Sequence, residues 1–405
     1  MSKLLVVKFG GSVLDGGSAI RKAAENVKEE LKRGNRLVLV VSAMKGVTDQ
    51  LLSAAKEISP DTPKEVTDQI IGLGEEQSVR LMVSALRSLG VDAVEVTPNS
   101  PSWPIITNEE YGDAEPNIEA CITGTELGVS PLIRRGQVPV ICGFVGKSLN
   151  DNITTLGRGG SDTTATLLAR FLDADELVLV KDVGGLYTAD PGKVGEAMLV
   201  EEMSACEANL LASSGAKVIH DKVFRYKPDG LKIRLVSFEQ PLNGSGTVVT
   251  GNIPELGVEA HDIKVIKLVL LGDSISEPDA LAAVSEAILK TEGTMLYVSA
   301  SCESTSIYVN GSLGDVLKEV NAVVESNVRL KSVAGTGDLG LIRVWGHALS
   351  DPLSNCEWIH KALSPEDMPI RDLVFGESSV MLLVDWEVRA EALDRLCKYW
   401  SENVE

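Results

Sequence analysis

The sequence predicts an α/β chain in two parts: a mainly parallel sheet with crossover helices over the first 250 residues, then a smaller α+β module. Three observations carry this. Apolar β-branched runs alternate with helical patterns as far as residue 250, the signature of parallel strands joined by helices. A Gly-rich break, NGSGTVVTGN at 243–252, then interrupts the rhythm. Beyond it the pattern becomes strand, helix, strand, strand, and it occurs twice. At 405 residues the chain is also longer than a typical single core, so domains at 1–252 and 263–405 are expected.

Residues 3–8 (KLLVVK) and 36–42 (RLVLVVS) are strand candidates, with an amphipathic helix at 18–33 between them. VPVICGF at 138–144 and ELVLVK at 176–181 are near-continuous apolar runs, which buried parallel strands require. GSDTTATLLARFLD at 160–173 reads as a helix opened by Ser161 and Asp162. In the second part, 264–271, 294–299 and 304–309 are strand-like, with a helix at 279–290. The second copy has strands at 339–346 and 380–386 and helices at 354–364 and 388–400.

Composition excludes several function classes. A formal charge of −20 leaves no basic surplus for nucleic acid, and anionic lipid would repel it. Any anion site must be built locally from a few Lys, Arg and backbone N–H groups. No apolar stretch is long enough for a membrane span, and MSKLLVVKFGGS turns polar too soon for a signal peptide, so the cytoplasm is expected. Six cysteines without CxxC spacing read as buried thiols, and four dispersed histidines predict no metal cage.

The glycines carry the chemistry. Lys8-Phe9-Gly10-Gly11-Ser12 lies between a predicted strand and a helix. Its glycines let N–H groups approach an anion, and Lys8 adds charge at the strand end; a tight turn is the plainer alternative. Gly157-Arg158-Gly159-Gly160-Ser161-Asp162 leads into a helix, where free N–H groups suit a phosphate and Arg158 offers a fork for a carboxylate. The loop 181–191 (KDVGGLYTADP) follows ELVLVK, at a strand's carboxyl end where ligands bind in such sheets; Tyr187 there packs on a base or anchors the loop. Gly335-Thr336-Gly337-Asp338-Leu339-Gly340 satisfies GxGxxG, but a strand pattern follows it, so no dinucleotide site is expected.

Taken together these segments resemble the aspartokinases of the amino-acid kinase superfamily. The motifs run in the family's order: KFGGS at 8–12, VVSAMKGVTDQLL at 40–52, Gly74-Glu75 followed by Ser78, and YGDAEP at 111–116. TTLGRGGSDTTA at 154–165, DVGGLYTADP at 182–191 and GAKVIH at 215–220 complete it. The resemblance implies an amino-acid kinase fold, an open sheet with helices on both faces, followed by tandem ferredoxin-like ACT domains. It implies phosphorylation of the side-chain carboxylate of aspartate by ATP with Mg2+, and a homodimer formed through the ACT domains. By the same resemblance Lys8, Asp162 and Lys217 are catalytic, the two lysines contacting the transferring phosphoryl group. Ser42, Thr48, Glu75 and Arg158 bind the acceptor, Glu75 through its ammonium and Arg158 through a carboxylate. Gly10, Gly11, Ser12, Asp182, Tyr187, Lys193 and Lys217 hold the nucleotide.

The chain departs from the pattern at several positions. KFGGSV lacks one hydroxyl residue before its Val, Lys181 stands where Thr is usual, Gly192-Lys193 replaces an Arg, and Asp221 replaces a Pro. Pro278-Asp279 and Pro352-Leu353 stand where the ACT effector loops have Pro-Gly, which predicts weak, altered or absent inhibition by lysine or threonine. The shortened first loop leaves another small acceptor such as homoserine open, and a non-catalytic regulatory relative is the other alternative.

Overall fold

The computed structural model describes residues 2–213, 219–272, 278–301, 303–347, 349, 352–363, 368–376 and 379–403, with backbone alone at 278 and 352–356. It divides into two compact units, Met1–Ile253 and Pro254–Glu405.

The first unit opens with β1 (Leu4–Phe9), α1 (Gly16–Lys32) and β2 (Arg36–Val41), then α2 (Val47–Ile58), α3 (Lys64–Ser88) and β3 (Ala93–Val96). After β4 (Ile106–Thr107), α4 (Ile118–Gly124) and a single π-helical turn lead to α5 (Ser130–Arg134) and β5 (Val138–Cys142). β6 (Val145–Ser148) and β7 (Ile153–Thr155) precede α6 (Gly160–Phe171) and β8 (Glu176–Lys181). A hairpin of β9 (Leu186–Tyr187) and β10 (Leu199–Val200) follows, then β11 (Glu202–Ser204), α7 (Ala205–Ser213), α8 (Lys222–Tyr226), β12 (Lys232–Ser237) and β13 (Gly246–Thr250).

Eight strands form the main sheet in the order β11-β13-β12-β8-β1-β2-β5-β3, parallel except where β13 meets β12. β1, β2, β5 and β8 are buried almost throughout, as their unbroken apolar sequences demand. α6 packs on β1 and β8, and α3 on β3, β5 and β2. The carboxyl ends of β1 and β8 therefore meet the start of α6.

The second unit contains two β-α-β-β-α copies. The first is β14 (Gly257–Gly272), α9 (Pro278–Lys290), β15 (Met295–Ala300), β16 (Ser304–Asn310) and α10 (Leu313–Ser326). The second is β17 (Leu330–Trp345), α11 (Pro352–Leu363), β18 (Asp372–Phe375), β19 (Ser379–Asp385) and α12 (Arg389–Asn403). They share one antiparallel sheet, order β15-β16-β14-β17-β19-β18, the tandem ACT arrangement. Separate cores lie under each helix pair, with Leu268 and Val284 in one and Ile342 and Leu396 in the other.

Several expectations need correction. β14 starts at Gly257, so strand occupies most of the gap left between the two expected domains. α10 was absent from the sequence pattern of the first repeat and β18 from that of the second, so each copy has five elements. Gly335–Gly340 lies inside the 16-residue β17 instead of preceding a strand. α6 is entered through Gly159 in the left-handed region, and no side chain caps it: the Asp162 carboxylate is engaged elsewhere. Of the described cysteines, Cys121 and Cys142 are buried, but Cys206 is half-buried and Cys397 exposed. A polar helix surface at 397 tolerates a small side chain as easily as a core does. No described helix is long and apolar enough to cross a membrane.

Candidate active site

Side chains alternate along a strand, and β1 and β8 are in register with Lys8 opposite Leu179. Lys8 and Lys181, two residues beyond Leu179, therefore project from the same face of the sheet. The first turn of α6 lies over that face and supplies Asp162. One carboxylate oxygen, Oδ1, lies 2.7 Å from Lys8 Nζ, and Oδ2 lies 2.7 Å from Lys181 Nζ. The two contacts are equally short, and the Lys181 contact is the better aligned as a hydrogen bond. Burial alone would push the Asp162 carboxyl up, but Lys181 and Lys8 overcome it and hold the group well below the usual carboxylate range. Burial lowers the Lys8 ammonium, and Lys181 lowers it further, while Asp162 and Glu75 oppose both.

An open cavity of about 290 Å³ lies in front of this cluster, and Lys8, Thr48, Glu75, Arg158 and Asp162 all reach it. Glu75 comes from α3 and is only 3% exposed. The Ala43 backbone N–H serves its carboxylate, but Oε2 has no hydrogen-bond partner. Desolvation pushes its carboxyl up to about 8, against the pull of Ala43 and Lys8. Across the cavity Arg158 is exposed and has no carboxylate partner among the described residues.

The loop carrying Arg158 is tightly held. Gly157 and Gly159 have φ of 69° and 72°. A Cβ on Gly159 would come within 2.3 Å of the His220 ring, and one on Gly157 within 2.1 Å of Asp113. Asp113 is itself ion-paired with Lys222. Behind the loop, Asp68 on α3 accepts from the backbone N–H groups of Gly112 and Thr155 and from the Thr155 hydroxyl. The YGDAEP segment and the strand before the loop are thus tied to one buried carboxylate.

Ser42 is half-buried at the end of β2, beside Gly11. A side chain on Gly11 would strike the Ala43 carbonyl at 2.7 Å, so the turn after β1 requires glycine there. Gly10 donates to Val180 O, tying this turn to β8. Asp182, Tyr187 and Lys193 do not line the cavity. Asp182 and Lys193 are exposed on the loop after β8, and Tyr187 is half-buried on the β9–β10 hairpin. Lys217 lies outside the described residues.

Two neighbours of the cavity escaped sequence reasoning. Lys181 stood out only as a charge ending an apolar strand where the family usually has Thr, and its bond to a residue 19 positions earlier has no sequence signature. Phe144 lines the cavity with φ of 68°, a conformation uncommon for a bulky residue, and its ring packs over Gly160. Among the described residues no group of three His, Cys, Asp or Glu side chains could hold a metal.

The site thus offers a buried carboxylate with one unpartnered oxygen, a guanidinium with no described carboxylate partner and the Lys8 ammonium around one cavity, at the carboxyl edge of a parallel sheet. The amino acid kinase family model matches residues 3–237. An aspartokinase from a Bacillus species is 32% identical over 357 residues, covering 84% of this chain and 83% of its own. The chain belongs to the aspartokinases. Another family member, from Mycolicibacterium smegmatis, is 35% identical over 280 residues, and this chain spans 64% of its length. E. coli aspartokinase III, solved in complex with aspartate and ADP, matches with a TM-score of 0.56 at 24% identity, over 98% of this chain and 99% of that one. That likeness shows the shared aspartokinase fold across both units.

Proposed function

We infer that this chain phosphorylates the side-chain carboxylate of aspartate with ATP, giving 4-phosphoaspartate and ADP. The observation that carries the reading is the pairing of Glu75 and Arg158 across the cavity next to Lys8. An amino acid bound there would present its ammonium to the unpartnered Glu75 oxygen and its α-carboxylate to Arg158. Its side-chain carboxylate would then be left to face the phosphoryl site. Thr48 stands in the first turn of α2 on the acceptor side of the cavity.

A carboxylate is already a nucleophile at neutral pH, so the transfer needs no general base. Its oxygen forms a bond to the γ-phosphorus as the bond to the ADP oxygen breaks. The protein's part is alignment, and positive charge on the spreading oxygens. Lys8 and the N–H groups at the start of α6 supply that charge. Gly10, Gly11, Ser12, Asp182, Tyr187, Lys193 and Lys217 are proposed for the nucleotide side. Mg2+ would arrive on the ATP phosphates and neutralise charge there, which fits a site where the described residues form no cage of three His, Cys, Asp or Glu side chains. We assign self-association to the ACT unit, and with it any effector response, weakened at Pro278-Asp279 and Pro352-Leu353.

Hydroxylamine traps an acylphosphate as a hydroxamate and leaves a phosphate ester untouched. ADP release and hydroxamate should appear together with aspartate, and not with glutamate or homoserine. Turnover that required homoserine and gave no hydroxamate with aspartate would overturn the reading.

A further inference from the structure

We propose that Lys181 is a positioning residue for phosphoryl transfer: by taking one oxygen of Asp162, it leaves the Lys8 ammonium with charge to spare for the transferring group. The inference rests on the kinase reading above and assigns a function to a side chain that the family resemblance leaves out.

The argument begins with charge. Lys8 and Asp162 alone would form a neutral pair, and a neutral pair does little for a phosphoryl group that spreads negative charge in the transition state. With Lys181 bonded to the other oxygen, the cluster of two ammonium groups and one carboxylate carries a net positive charge. The geometry divides the carboxylate between the lysines: each ammonium lies 2.7 Å from its own oxygen, and the Lys181 contact is the better aligned. An ammonium has three N–H groups, so one contact to Asp162 pins Lys8 and leaves others for the cavity that it lines. Lys181 does not line that cavity, and so it acts through Asp162.

The backbone supports this use. Lys181 ends β8, and Gly10, just after β1, donates its N–H to Val180 O; a Cβ there would stand 3.5 Å from Lys8 Nζ. Lys181 is 14% exposed and Asp162 6%, so the contact is little screened by solvent. Among the described residues the charged groups facing Lys8 are Asp162 on α6, Lys181 on β8 and Glu75 on α3, with Arg158 across the cavity.

The test compares Lys181→Met, Lys181→Thr and Lys181→Arg in the full chain, following ADP release with the acceptor the wild type uses. Both uncharged variants keep the Lys8–Asp162 pair, so they should fold with little change in Tm. They should lose about 10²-fold in kcat, with KM for the acceptor within about 3-fold, because Glu75 and Arg158 are untouched. The alkaline limb of the kcat profile should move to higher pH, since Lys8 loses a cationic neighbour and gains the whole of Asp162. Lys181→Arg should recover most of the rate and return the limb. A structural role would lower kcat and Tm together without raising the limb. Wild-type kcat in the uncharged variants, or a lower kcat with an unmoved limb, would overturn the proposal. A wild type that releases ADP but makes no hydroxamate from aspartate overturns the acceptor assignment alone, and one that releases no ADP with any acceptor overturns both.

Discussion

Asp162 and Asp372 are two aspartates in one chain with the same kind of partners and opposite uses. Asp162 lies between Lys8 and Lys181 in the N-terminal unit. Asp372 lies between Lys267 and the Tyr308 hydroxyl, 2.6 Å away, in the C-terminal unit. Burial tends to raise both carboxyls, and in both cases the donors win and hold them low. The difference is what the partners leave over. Around Asp372 one cation meets one anion, and the phenol stays neutral because burial and Asp372 push its titration up. The space beside that cluster is only about 10 Å³. Around Asp162 a cation is left unbalanced, and it faces a cavity large enough for a substrate. An ion pair is a structural feature when its charges cancel at the margin of a packed core, as in the half-buried Lys267–Asp372 pair, and a working one when a surplus is aimed at open space.

The largest effect that would sharpen this contrast is at Lys8. Lys8→Ala should cost at least about 10³-fold in kcat with little change in Tm, because Asp162 keeps Lys181 as a partner. A rate near wild type would show that the surplus charge is not used.

Next comes Glu75, the unpaired member of the same site. Its carboxyl is raised from about 4.5 to about 8, so the folded state favours the protonated form. The stability from this preference is complete below pH 4.5 and is lost as pH rises through 8. Glu75→Gln should therefore have a higher Tm than the wild type above pH 8 and match it near pH 4.5, while acceptor KM rises by about 10²-fold or more. In the wild type, an arriving ammonium should drive the proton off. Calorimetry near pH 7 in buffers of different ionisation enthalpy should detect release of close to one proton per aspartate bound. No release, with an unchanged stability profile, would mean that Glu75 is already ionised in the free protein.

The smallest effect is expected at Asp372. Asp372→Asn should cost about 1–3 kcal/mol of stability in the C-terminal unit through its lost charged hydrogen bonds. kcat should stay within about 2-fold. A large loss of kcat would mean that the second unit's core is coupled to catalysis and would break the comparison.

Much of this was legible in the sequence. Short apolar runs such as the four in ELVLVK, too brief for a helix and half β-branched, read as buried strands, and β8 covers 176–181. Glycines announced the loops, since only glycine adopts the turns at 157 and 159 or lets Gly11 sit against Ala43. The motif order marked Lys8, Glu75, Arg158 and Asp162, and those four meet at one cavity. Helix α10 was missed because its apolar positions, Val316, Val320 and Val324, are β-branched and read as readily as strand.

What the sequence determined by itself was local: which segments extend, which coil, and where the backbone must turn sharply. Those follow from side-chain period and glycine freedom, which act over a few residues. Pairings across long separations were left to the tertiary structure. Only the parallel register of β1 with β8, under α6, brings Lys181 to Asp162 and Lys8, and only the packing around α3 strips Glu75 of water and leaves one oxygen without a partner. Charge surplus and desolvation belong to the assembled site, because both depend on which groups fold together and which are left facing the cavity.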